Sequence, residues 1–186
     1  MRMGRVSVTK IEAARRQLGT AIDLWFDERD PISIHTLIAA AYQVICDLLR
    51  HRGLPDFLYA NPWIRPERRA DYARAVRAPA NFIKHADRDP KGELELNVEI
   101  NDFHLLQCLM GLQQLGVTEI TDTERAFWVR FSFEYPEVLD EGHPFTQMIH
   151  TDNFREIAAW SRPRFYEAFK VGAANHSAAG KMTLST

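Results

Sequence analysis

Six side chains with hydrogen-bond donors recur over a short stretch: Arg74, Arg77, Asn81, Lys84, His85 and Arg88. Wound at about 100° per residue, they fall on one arc of about 100°. Tyr72, Val76, Ala80 and Ile83 fall on the opposite side. Neighbours at i, i+4 can touch, so Asn81 can reach both Arg77 and His85. Histidine transfers protons near neutral pH. Arg77 and Lys84 can hold a phosphate and stabilise charge that develops on it. Asn81 can orient the imidazole, and Arg74 and Arg88 can hold a phosphate backbone. Such a set suits metal-independent cleavage of RNA, in which a 2′-hydroxyl attacks its own phosphate. The competing reading is structural. Arg77, Lys84 and Arg88 would solvate a helix face, and His85 would sit at a helix C-terminus, where the dipole favours it.

The elements that must position this face read mostly as helix. Thr9-Lys10-Ile11-Glu12 has the form of a capping box, and Ile11, Ala14, Leu18, Ala21, Ile22 and Trp25 follow at helical spacing. Asp30-Pro31 opens the next helix, with Ser33 as a competing N-cap. From Ile34 to Leu49 nearly every side is apolar; only Thr36, Gln43, Asp47 and Arg50 line up as a polar strip. A helix that apolar belongs at the centre of a bundle, and Gly53 stops it. The proline-bearing stretch Leu54 to Pro66 reads as a loop. A third helix starts at Arg65-Pro66-Glu67, is interrupted or kinked near Pro79, and ends at Asp87 to Pro90. Residues 94–100 alternate with a period of two, as an extended segment does. A fourth helix covers Asn101 to Leu115. Thr121 to Glu124 is another capping box; the run 126–135 fits helix or strand, and the box and Pro136 favour helix. Read as a strand, its partner would be 94–100. Helices over Asp152 to Trp160 and Pro163 to Lys170 complete the chain, and residues 171–186 are expected to fray. The fold class is therefore an all-α bundle of five to seven helices, one domain over 1–170, with at most one short two-stranded hairpin.

Residues 31–90 resemble the HEPN-type helical domains. The resemblance is carried by Asn81-Phe82-Ile83-Lys84-His85 with Arg77 upstream, and by the apolar Ile34–Leu49 helix preceded by Leu18–Phe26. It implies a small antiparallel helical bundle, a dimer that brings two motifs together, and metal-independent endoribonuclease activity of the toxin or defence kind. Arg77 would then bind the scissile phosphate, Asn81 orient, and His85 act as general acid and base. The separation of Arg77 from His85 is wider than the family's, and Pro79 intervenes.

Composition bounds the alternatives. The chain has 186 residues, 46% hydrophobic and 11% aromatic content, and two cysteines. That is enough to bury a core, and it excludes a disordered chain and a disulfide framework. No apolar run of about 18–20 residues is evident and no secretory signal is recognised, so a cytoplasmic, soluble protein without a membrane span is expected. The net charge of −2 conceals an asymmetry. Residues 1–90 hold 15 Lys and Arg against 11 Asp and Glu, a net of +4, and residues 91–186 hold 8 against 14, a net of −6. The basic half can meet phosphates. It can equally meet the acidic residues Glu119, Glu124, Glu134, Glu137, Asp140 and Glu141 of a second copy. RNA, a second copy of the chain and a partner protein are the expected classes of partner.

Other candidates are weaker. Asp87 to Gly92 imitates a calcium loop, but Lys91 and Val98 stand where oxygen ligands are needed. Glu99, Asp102, His104, His143 and His150 have no repeated Glu-x-x-His register, so neither a metal nor a cofactor is expected. Cys46 and Cys108 lie on apolar faces and read as buried small hydrophobes; His35 reads as a satisfied core histidine. Tyr59 and Trp63 could stack on bases. Three functions stand: an RNA-directed module, a helical interaction module, and a small-molecule or metal pocket around His35 and His104.

Overall fold

The computed structural model describes residues 4–55, 65–138 and 152–183. Seven α-helices are present among the described residues: α1 (Lys10–Phe26), α2 (Pro31–His51), α3 (Arg69–Lys84), α4 (Ile100–Gln114), α5 (Asp122–Glu134), α6 (Asp152–Ala158) and α7 (Arg162–Thr183). Single 3-10 turns cover Pro66–Arg68 and Pro136–Val138. The fold is all-α.

Both capping boxes form. The Thr9 amide donates to Glu12 Oε2 at 2.7 Å and the Glu12 amide to Thr9 Oγ1 at 3.2 Å. Thr121 and Glu124 make the same reciprocal pair, also at 2.7 and 3.2 Å. Between the two candidate caps of α2, Asp30 takes the role: its carboxylate accepts from the Ser33 amide at 2.8 Å, and Pro31 occupies the first turn. Gly53 follows α2 with φ 69°, a left-handed conformation that glycine adopts at little cost.

The chain forms two compact units within the stretch read as one domain: residues 1–24 with 29–119, and residues 25–28 with 120–186. In the first, α2 packs on both α3 and α4. Gly111 makes that contact close: a Cβ added there would lie 2.5 Å from Ile45 Cγ2. By length and composition α2 would also suffice to span a membrane, because its charges are few and its most apolar 18 residues have a mean hydropathy of 1.6; half of those residues are buried. That corrects the expectation of no sufficiently apolar run.

The second unit has an aromatic core. Trp25 meets Phe26 and Phe127 edge-on at 4.9 and 5.0 Å, and Phe26 stacks on Tyr166 at 4.1 Å. Glu134 accepts from Arg130 Nε at 2.7 Å and from Arg162 Nη2 at 2.6 Å. The Arg162 guanidinium lies 3.9 Å from the centre of the Trp25 ring. Burial raises the Glu134 carboxyl pKa, but the bonds from Arg162 and then Arg130 outweigh it and hold the group below its usual range.

One open alternative is decided and two expectations change. The hairpin is absent among the described residues: 129–134 is helical, held by the Thr121 cap and by Phe127 packed on Phe131 at 5.8 Å. Residues 92–97 have no strand partner, yet Leu94 and Leu96 are half-buried while Glu93 and Glu95 are exposed, so the period of two survives as an alternation of burial. Helix α3 stops at Lys84, short of Asp87. Asp87 and Asp89 would have placed negative charge at the negative end of the helix dipole. Helix α7, by contrast, continues past Lys170 to Thr183, where alanines favour helix.

Candidate functional site

The polar face of α3 opens on a cleft. It has a volume of about 120 Å³ and lies within the first unit, where α2, α3 and α4 meet. Its mouth is formed by Gln43 and Arg50 of α2 and by Arg77, Asn81 and Lys84 of α3, all exposed. Its floor is formed by Ala39, Tyr42 and Cys46 of α2, Val76 of α3 and His104 of α4, all buried. Helical periodicity explains the two layers. On α3, Val76 and Ala80 lie one step inward of Arg77 and Asn81. On α2, Gln43 and Arg50 are seven residues apart and so emerge on the same side. Among the described lining residues three carry positive charge and none carries negative charge. Arg50 is also 2.9 Å from Asp47, an exposed pair one turn away on the same helix.

The floor is unusual for a helical core. His104 is fully buried, and neither ring nitrogen has a hydrogen-bond partner. Its ring meets Tyr42 edge-on at 4.8 Å and lies 5.5 Å from that of His35. Burial, and secondly the neighbouring His35, push its pKa down to about 3. The imidazole is therefore neutral at physiological pH, with one nitrogen able to donate and the other to accept. His35 is the opposite case. Asn101 Nδ2 donates to the Pro31 carbonyl at 3.0 Å, which turns Asn101 Oδ1 towards His35 Nδ1 at 2.8 Å. His35 Nε2 lies 3.2 Å from the Val76 carbonyl. Burial lowers the His35 pKa against the pull of both bonds. Both partners are acceptors, so the neutral ring donates to one of them at a time; each nitrogen nonetheless faces a polar atom, as expected for a core histidine, and His35 links α2 to α3 and α4 behind the cleft.

The six residues of the α3 face separate in space. Arg77, Asn81 and Lys84 share the cleft mouth. His85 is not a lining residue. It caps the C-terminus of α3 with φ −124° and ψ 47°, and its backbone amide donates to the Asn81 carbonyl at 3.0 Å. Arg74 is exposed and 3.5 Å from Asp71. Arg88 is exposed in the turn beyond the helix. Tyr59, Trp63, His143, His150, Asp140 and Glu141 lie outside the described residues.

No protein-family model matches this chain, no curated protein does, and no solved structure does.

The remaining candidates have structural occupations. Cys108 is buried, and burial followed by the neighbouring Cys46 raises its pKa well above that of an ordinary thiol, opposite to what a nucleophile needs. Among the described residues no group of three or more His, Cys, Asp and Glu could hold a metal ion. Two acidic residues considered for pairing with a second copy are engaged internally: Glu124 holds the Thr121 amide and Glu134 holds two arginines. Reasoning from sequence missed Gln43 and Arg50 as parts of the cleft. The signal was present, since both stand on the polar strip of α2, but which helix that strip faces depends on the fold.

Proposed function

We propose that the first unit binds a small anionic ligand in the cleft between α2, α3 and α4. The observation that carries this reading is the charge of the mouth: Arg50, Arg77 and Lys84 line it with two carboxamides, and no lining residue among those described is acidic; Asp47, which pairs with Gln43 and Arg50, is not among the lining residues. Guanidinium and ammonium donors suit phosphate and carboxylate oxygens. The buried floor supplies the low-dielectric wall that strengthens such contacts. Inorganic phosphate is the simplest probe. In titration calorimetry at low ionic strength it should bind the wild type, and the double variant Arg77→Ala, Lys84→Ala should lose at least tenfold in affinity, about 1.4 kcal/mol. Equal binding by the variant would place the anion elsewhere.

A second reading takes RNA as the source of the anion. It is supported by Arg77, Asn81 and Lys84, three residues of the HEPN-like motif, standing together at the mouth. It assigns proton transfer to His85, which must then approach a phosphate held there. Purified protein should cut RNA in the presence of EDTA, and His85→Ala should abolish the cleavage. Cleavage unchanged in that variant would remove His85 from the chemistry, and no cleavage by wild type would leave the small-ligand reading alone.

A further inference from the structure

The anion-binding reading explains the mouth and leaves the floor without a purpose. His104 is fully buried, both of its ring nitrogens lack a partner, and it borders the cleft. A buried polar group without a partner is costly, and native interiors rarely keep one without a reason. Its neighbours do not satisfy it. Tyr42 meets it ring to ring rather than through its hydroxyl, and both nitrogens of His35 face other atoms, Asn101 Oδ1 and the Val76 carbonyl. The cleft thus has two chemically different ends: cationic and exposed at α3, neutral and buried at α4.

We propose that the cleft recognises a two-part ligand, an anionic head held by Arg77 and Lys84 and a short uncharged tail whose hydroxyl or amide pairs with His104. The proposal rests on the anion-binding reading above and adds the chemistry of the tail. Size limits that tail. The whole cleft, mouth included, is about 120 Å³, less than the engineered cavity of about 150 Å³ that holds one benzene ring, so the tail beyond the head can be only a few atoms long. A hydroxyl suits the site best, because it can accept from one imidazole nitrogen or donate to the other. A second charge on the tail is excluded, because a neutral imidazole cannot compensate a charge brought into a buried floor.

Two phosphate monoesters of equal length test this. Glycerol 3-phosphate carries hydroxyls on its tail, and propyl phosphate carries none. Wild type should bind glycerol 3-phosphate roughly 10- to 100-fold more tightly, as expected where a site's polar group is left unpaired by the poorer ligand. In His104→Leu the preference should fall to within about twofold; His104→Gln, which retains a donor and an acceptor, should restore part of the preference. The comparison of the two esters on wild type decides the matter even if a variant fails to fold. Equal affinity for both esters, or a preference for propyl phosphate, overturns the inference and leaves the anion-binding reading standing. Failure of inorganic phosphate and of both esters to bind overturns the two together.

Discussion

Replacing His104 by leucine should make the protein more stable, and most of all in mild acid. At neutral pH the substitution removes two buried nitrogens that no protein atom satisfies. Leaving such a group unpaired costs about 1–3 kcal/mol, and an apolar residue of similar volume avoids that cost. The acid effect is separate. The folded-state pKa of His104 is depressed to about 3, whereas an unfolded histidine titrates near 6.5. Between those values the unfolded chain binds the extra proton and the folded chain does not, so stability is full above about pH 6.5 and is lost as pH falls towards 3. At pH 5 the loss from this one group is about 2 kcal/mol, and far below pH 3 it would approach about 5 kcal/mol. His104→Leu deletes that loss. Carboxylates and His35 titrate in both proteins, so the difference between the two isolates position 104. Urea unfolding followed by far-ultraviolet circular dichroism at pH 7.5 and pH 5.0 measures it. The stability drop between the two pH values should be about 2 kcal/mol smaller in the variant. Equal drops in the two proteins would refute the buried, neutral state assigned to His104.

Arg162→Ala should remove one of the two partners of Glu134 and cost about 2–3 kcal/mol in thermal or chemical unfolding. Because pairing lowers the Glu134 pKa, the stabilisation is present above its unfolded value of about 4.5 and is lost as pH falls through the lower folded value, so the difference between wild type and variant should shrink in strong acid. Gly111→Ala should force Ile45 to move and destabilise by about 1–2 kcal/mol, despite the better helix propensity of alanine; an unchanged midpoint would show that α2 and α4 separate freely. Thr121→Ala should cost about 1 kcal/mol by removing the cap of α5, measurable as a lower unfolding midpoint.

Much of the fold was legible because its signals are local. Thr9 and Thr121 announce their helices through a residue three positions later, and Asp30-Pro31 announces α2. The alternating run at 129–135 was not decisive, since Phe127, Phe131 and Tyr135 also recur at i, i+4; the cap upstream resolves it. The end of α3 was read too far downstream, because Asp87 and Asp89 act through the helix dipole rather than through periodicity. The site was half legible. Arg77, Asn81 and Lys84 share a face by arithmetic on one helix, and they meet in the cleft. His85 belongs to that arc only while the helix continues, and the helix stops one residue before it. The floor depends on three helices at once. His35 and His104 are separated by 69 positions, and nothing at either position distinguishes the one that Asn101 satisfies from the one left bare.

Pro79 sits within α3, between the arginine at one end of the cleft mouth and the carboxamide and lysine at the other. Having no amide hydrogen, it removes one rung of the helix ladder at that point. The turn beyond it, which bears Asn81 and Lys84, is only five residues long and ends at an irregular cap. Such a turn opens more readily than the body of a helix. On the near side, Val76 is buried, and its carbonyl lies 3.2 Å from His35 Nε2. The mouth therefore has a fixed jamb and a loose one. Arg77 is carried by the anchored part and can receive a ligand in place, while Asn81 and Lys84 ride on the part that can yield to let one in and settle again once it has entered.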